Sequence, residues 1–292
     1  MSPRAKAKVQ APLLLLGASS LELPARTTRD RALEVAGRFR EPESLAVTLV
    51  KALDAGAEAV YSGPSATLRA ALAELRRPVP VLARLPHTPP SEDLFHEPWL
   101  TLEAADVGAS WGGMRASLAG LSMPAATMRG DLTARIAGRL EHEREALGAK
   151  QVAGLAISSP LTDLALAAGN AKFFEQVLRF GRSRFGGLAG FETRNLGHLL
   201  AQLEAWGIAP DFVIGPVNPR GFGMVPGPAQ VIAAVKRLGI PVVASELRAG
   251  GTVLLADGAR YALDNGVTGL LPELVDLDDV AGELRALSAM AR

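Results

Sequence analysis

Short apolar runs recur along the chain, and each is followed by a longer Ala/Leu-rich segment whose apolar positions repeat with helical spacing. The runs are Leu13–Ala18, Glu58–Ser62, Val79–Arg84, Val152–Ser158, Leu188–Glu192, Phe212–Pro216, Pro241–Glu246 and Val267–Leu271. Most are apolar on both faces, as strands need to be when helices cover them outside and side chains fill the space inside. The segments between them end in helix-stop signals. Ser44 to Asp54 runs into Gly56, Asn195 to Ala205 runs into Gly207, and Leu238-Gly239-Ile240 and Asn265-Gly266-Val267 repeat the grammar of helix, glycine, strand. Eight such βα units predict a (β/α)8 TIM barrel rather than an open doubly wound sheet, with the working face at the carboxyl ends of the strands.

Two connections break the short rhythm. Ser19 to Pro42 follows the first strand, and Pro86 to Lys150 separates the third from the fourth. The latter is about 65 residues, well past ordinary βα loops, and needs structure of its own. Its first part carries Pro89, Pro90, Pro98, Trp99, Trp111, Gly112 and Gly113, and a helix is predicted over Asp131 to Leu147. Because this connection starts at the carboxyl ends of the strands, the insertion 86–150 is expected to act as a lid that brings Trp99 and Trp111 to the substrate. The competing expectation is a peripheral excursion or a subunit contact. The expected organisation is a disordered basic tail over 1–11 and a single barrel over 12–292.

At 292 residues the chain is longer than the roughly 250 of a typical single-domain barrel, and an apolar fraction of 48% supplies the core. Thirty-one basic and 30 acidic residues leave a net charge of +1 with the two signs interspersed, so no basic stripe points to nucleic acid. The absence of cysteine removes thiolate nucleophiles, disulfides and Cys-bound metal, and fits a cytoplasmic protein. Leu13 to Leu16 is too short to be a membrane span.

The last residue of each strand and the first of the next loop point into a barrel's site. Those positions hold Ser62, Arg84, His87, Ser158, Ser159, Glu192, Arg194, Asn218, Arg220, Ser245, Glu246 and Glu273. Glu192 and Glu246 each close an apolar strand beside an arginine, an environment that can hold one carboxyl neutral and the other ionised, as acid–base catalysis requires. The plainer alternative is that each pairs with its neighbouring arginine or caps the next helix. Arg84, His87, Ser158, Arg194, Asn218 and Arg220 are candidate substrate-binding residues. Glu192, Glu246 and His87 have the chemistry of a divalent-metal site but no ligand spacing to support one. Arg248, Gly250 and Gly251, after the seventh strand, stand where barrels cradle phosphate, so they are the candidate cofactor-binding residues.

In these segments the chain resembles a very divergent aldo/keto reductase. Leu49–Ser65 (LVKALDAGAEAVYSGPS) is similar to that family's second-strand region, and Ala156–Pro160 (AISSP) to its fourth-strand motif. Gly190–Asn195, Ser245–Gly251 (SELRAGG) and Leu271–Val280 (LPELVDLDDV) follow its cofactor side in order. The resemblance covers roughly Pro12 to Leu287 apart from the insertion, and it implies the barrel fold and, for a functional member, NADPH. The family's catalytic tetrad is replaced: Ser62 stands for Asp, no Tyr follows it, Arg84 stands for Lys and Ser158 for His. Glu192 and Glu273 put negative charge where nicotinamide and phosphate would lie. The expected activity is therefore proton transfer, as a lyase or isomerase acting on a small polar carbonyl or carboxylate substrate without a required cofactor. Glu246 would be the base or acid, Glu192 its partner. The alternatives are an NADPH-dependent oxidoreductase with a relocated proton donor and a non-catalytic binding or scaffold barrel. The expected partner is a small molecule rather than nucleic acid or membrane, and self-association is left open.

Overall fold

The structure, a computed structural model, describes residues 14–18, 29–86, 132–272 and 279–291. The expected tail, most of the insertion, and His87, Trp99, Trp111 and Glu273 lie outside the described residues. The described residues form eight strands: β1 (Leu15–Gly17), β2 (Ala59–Ser62), β3 (Pro80–Leu85), β4 (Gln151–Ile157), β5 (Leu188–Glu192), β6 (Phe212–Pro216), β7 (Val242–Ser245) and β8 (Gly269–Leu270). They form one parallel sheet in sequential order, and a bridge between Leu14 and Leu270 joins its two edges into a barrel. Each of the eight predicted runs overlaps one of these strands, and β3 and β4 extend one residue past theirs, at Leu85 and Gln151. The outermost residues of several runs lie beyond the ladder; Glu246, for instance, comes one residue after β7.

Helices alternate with the strands: α1 (Arg29–Arg38), α2 (Pro42–Asp54), α3 (Ala66–Glu74), α4 (Leu132–Leu147), α5 (Ser159–Ala167), α6 (Ala171–Arg184), α7 (Leu196–Trp206), α8 (Pro228–Leu238), α9 (Leu255–Asp264) and α10 (Val280–Ala291). The predicted stops act as expected at α7 and α8, where Gly207 and Gly239 take the left-handed conformation that lets the chain turn into β6 and β7. α4 lies within the predicted insertion, and its Ile136, Leu140 and Leu147 are buried in the outer core. No helix among the described residues is long and apolar enough to cross a membrane.

Side-chain alternation divides the core in two. Val60, Val81, Ala83, Leu155, Ile157, Phe191, Val213 and Ala244 face outward into the layer beneath the helices. Leu15, Ala59, Tyr61, Leu82, Ala156, Leu188, Phe212, Ile214 and Val243 fill the barrel interior. Space inside is close: a Cβ at Gly190 would run into the carbonyl and ring of Phe212, so only glycine lets that ring occupy the axis.

Candidate functional site

The same alternation carries Tyr61, Arg84 and Glu192 into the interior at its carboxyl end. On β3, Ala83 and Leu85 are packed outward and Leu82 inward, which leaves Arg84 pointing in above Leu82. On β5 the anchor is aromatic. Phe191 packs outward against Phe174 of α6, ring centres 4.8 Å apart, and Phe174 in turn meets Trp206 at 5.3 Å. Phe191 held on that side fixes Glu192 on the other.

Arg84 Nε donates to Glu192 Oε2 at 2.8 Å, and each side chain retains 21% exposure. The same oxygen accepts from the backbone N–H of Ser159 at 3.0 Å. Ser159 is the first residue of α5, so the carboxylate sits at a helix N-terminus, where negative charge is favoured. Glu192 Oε1 and the terminal nitrogens of Arg84 make no hydrogen bond with a described residue. The pair spans two non-adjacent strands, β3 and β5.

Tyr61 completes the group and was missed by the sequence reading, which treated it as strand core. It is 4% exposed, and its buried hydroxyl lies against Arg84 and Glu192 without a well-formed hydrogen bond to either. Burial raises its pKa well above the ordinary phenol value. The Glu192 carboxylate pushes the same way, while Arg84 opposes it. Tyr61 is therefore a neutral donor at neutral pH. Burial works against the charge on Arg84, but Glu192 and the other neighbours outweigh it, so the guanidinium is held above its usual pKa. The signal that could have found Tyr61 was its spacing from Ala59, an inward position two residues earlier.

The turn after Glu192 is braced by Asp163 of α5. It accepts from the Thr193 hydroxyl and, at 3.1 Å, from the Arg194 backbone N–H; Thr193 Oγ1 accepts from the Asn195 N–H at 2.9 Å. The Arg194 side chain is exposed, so its described role at this turn is through the backbone.

Other predicted residues are engaged locally. The buried Ser158 hydroxyl donates to the Pro86 carbonyl at 2.9 Å, and Ser62 Oγ donates to the Gly63 carbonyl at 2.9 Å. Asn218 clamps its own loop: Nδ2 donates to the Phe222 carbonyl at 2.8 Å, and Oδ1 accepts from the Phe222 N–H at 2.9 Å. Glu246 is half-buried with φ at 54°, one residue out of step with the inward register of Val243 and Ser245. Among the described residues, no three His, Asp or Glu side chains gather as metal ligands. His87 lies outside that set.

A groove of about 620 Å3 opens between the loops after β6 and β7, lined by Arg220, Phe222, Ala249, Gly250 and Thr252. Phe222 is partly exposed, and its ring lies beside Gly250. Within the second loop, the N–H groups of Ala249, Gly251 and Val253 are bonded to the carbonyls of Glu246 and Arg248. Gly250 therefore faces the groove, while the Gly251 amide is used within the turn.

No protein-family profile matches the chain, and no curated protein sequence matches it. Solved structures do. Two, each described as a putative aldo-keto reductase of Pseudomonas aeruginosa, share 13% identity with it. They superpose with TM-scores of 0.58 and 0.59, over 96% of this chain and 90% and 91% of theirs. At that identity the likeness concerns architecture: the chain has an aldo/keto-reductase-like (β/α)8 barrel with a segment inserted between β3 and β4.

Proposed function

We propose that the protein is an enzyme of proton transfer, a lyase or isomerase, acting at the barrel mouth on a small polar carbonyl or carboxylate substrate. The observation that carries this reading is the Arg84–Glu192 pair with the buried Tyr61 hydroxyl beside it. It supplies a carboxylate oxygen to take a proton and a fixed cation to stabilise the resulting negative charge, with a neutral phenol buried against both. Glu192 Oε1 removes a proton from the carbon next to the substrate carbonyl. The C–H electron pair becomes the C=C bond of an enolate, whose oxygen takes the charge beside Arg84 and Tyr61. Return of the proton to another carbon isomerises the substrate; loss of a leaving group from the next carbon makes the reaction a lyase step. Glu246, at the rim, is kept as the second carboxylate that exchanges the proton with solvent.

The test is exchange of substrate α-protons in D2O, followed by NMR over a panel of short carbonyl compounds. Glu192→Gln should lower the exchange rate at least about a hundredfold, the scale of a positioned general base, while the circular dichroism spectrum stays unchanged. Glu246→Gln should lower it too. Wild-type exchange rates in Glu192→Gln would rule out the assignment.

The groove favours a second reading, a nicotinamide-dependent oxidoreductase with Tyr61 as the relocated proton donor. Its chemistry suits a nucleotide: Arg220 would hold a phosphate, Phe222 would stack against an aromatic ring, and Gly250 would allow close approach. A bound nicotinamide would supply or accept a hydride. Titration with NADPH, followed by cofactor fluorescence, decides between the readings. Micromolar binding that is lost in Arg220→Ala supports the oxidoreductase.

A further inference from the structure

The groove between the loops after β6 and β7 is walled by two loops that hold themselves in shape, and one of them presents an aromatic ring to solvent. Asn218 is fully buried, and both ends of its side-chain amide are spent on the backbone of Phe222. Its own N–H donates to the sulfur of Met224, which is also buried. Phe222 is nevertheless 40% exposed. A buried polar residue committed to a surface phenylalanine fixes the backbone that carries the ring, so little conformational freedom remains to be lost when a flat ligand settles on it.

The facing loop is shaped as tightly. Ala249 takes a left-handed conformation, φ 49°, which is uncommon for a residue with a Cβ. The N–H groups of Ala249, Gly251 and Val253 go to the carbonyls of Glu246 and Arg248, and the Thr252 hydroxyl donates to the Ala249 carbonyl. These donors are turned into the loop rather than toward a ligand, so they form no backbone cradle for a diphosphate. Among the described residues that line the groove, the cation is Arg220, which is exposed. Gly250 lies beside the Phe222 ring, where a Cβ would stand 3.4 Å from it, and so leaves bare backbone on that side. The volume of about 620 Å3 suits a small molecule.

We infer that the groove binds a planar aromatic ring carrying one anionic group, with the ring against Phe222 and the anion on Arg220. A mononucleotide and an aryl carboxylate share that chemistry. The inference rests on the placing of a ligand in the groove by the oxidoreductase reading, and it narrows that ligand from a dinucleotide to one ring with one charged group.

The full-length protein is tested by isothermal titration and saturation-transfer NMR against adenosine 5′-monophosphate, indole-3-acetate, adenosine, ribose 5-phosphate and NADPH. At least one of the first two should bind tenfold or more tightly than adenosine, which lacks the anion, and than ribose 5-phosphate, which lacks the ring. Which of the two binds better tells whether the anion is a phosphate or a carboxylate. Arg220→Ala should weaken that ligand at least tenfold and leave adenosine unchanged. Phe222→Ser keeps the backbone that Asn218 holds, and it should weaken the same ligand at least fivefold without altering ribose 5-phosphate. Both side chains are exposed, and an unchanged circular dichroism spectrum confirms that each variant folds; the ligand panel on the wild type decides even if one does not. Adenosine binding as tightly as its monophosphate and indole-3-acetate, ligand binding unaffected by Arg220→Ala, or no binding of either anion at millimolar concentration each overturns the inference. The two readings of the groove fail separately. Micromolar NADPH binding with neither small anion bound keeps the oxidoreductase and removes the inference. Binding of a small anion with NADPH held no more tightly removes the oxidoreductase and keeps the inference.

Discussion

At the level of single residues, the central feature is a polar group placed without a partner. Tyr61→Phe removes a hydroxyl that makes no hydrogen bond in the free protein. Unsatisfied buried hydroxyls cost about 1–3 kcal/mol, so this variant should be as stable as the wild type or more stable by up to about 1 kcal/mol in urea denaturation. A side chain whose hydroxyl serves only the fold would give the opposite sign. The same residue predicts an alkaline effect. Its folded pKa lies above the unfolded phenol value of about 10. Its contribution is therefore complete below about pH 10 and is lost as the pH rises toward the folded value. In a Tyr261→Phe background, adding Tyr61→Phe should flatten the fall in stability above pH 10; an unchanged slope would contradict the raised pKa. Arg84 and Glu192 were legible in the sequence because a charge ending an apolar strand stands out. Tyr61 was not, since an aromatic residue in a strand reads as core and its missing acceptor depends on strands that lie far off in sequence. Ser158 and Asn218 show the converse. They are polar and at strand ends as expected, yet the Pro86 carbonyl and the Phe222 backbone take up their hydrogen bonds.

At the level of elements, β5 and the turn after it decide where Glu192 points. Asp163 holds that turn from the next-door helix through Thr193 and Arg194. Asp163→Ala removes both bonds to its carboxylate and should cost about 1–3 kcal/mol. Activity should fall as well, with kcat affected more than KM because it is the base that is displaced. Equal kinetics in a destabilised variant would mean that the turn does not position Glu192. Gly190→Ala offers a second check from within the strand. Its Cβ would collide with the Phe212 backbone and ring, and overpacking of this kind costs about 1–3 kcal/mol, measurable as a lower Tm. The strands themselves were the most legible part of the sequence, since burial on both faces leaves unbroken apolar runs bounded by glycine. Strand ends were less so. The predicted run extends over Pro241–Glu246, but the ladder stops at Ser245, and Glu246 takes a left-handed turn one residue out of the inward register.

For the molecule as a whole, the barrel is unevenly closed, and this separates its stability from its site. β3 and β4 pair from Pro80–Gln151 to Leu85–Ile157 across one register shift at Val81/Leu82, whereas β1 and β8 are short and, among the described residues, meet only through the Leu14–Leu270 bridge. Few hydrogen bonds and little shared surface mean a low local opening free energy. Hydrogen exchange should therefore be fastest among the strands at 14–17 and 269–271, and slowest in β4, β5 and β6. Tyr61, Arg84 and Glu192 belong to β2, β3 and β5, away from that seam, so a ligand at the mouth should slow exchange around Ser159 and Thr193 and leave 269–271 unchanged. A ligand in the groove between the loops after β6 and β7 would instead protect 218–224 and 246–252. Exchange mass spectrometry with a short carbonyl compound or NADPH thus reads out which of the two places is occupied, independently of turnover. Uniform exchange across all eight strands would show that the Leu14–Leu270 bridge is not the weak join.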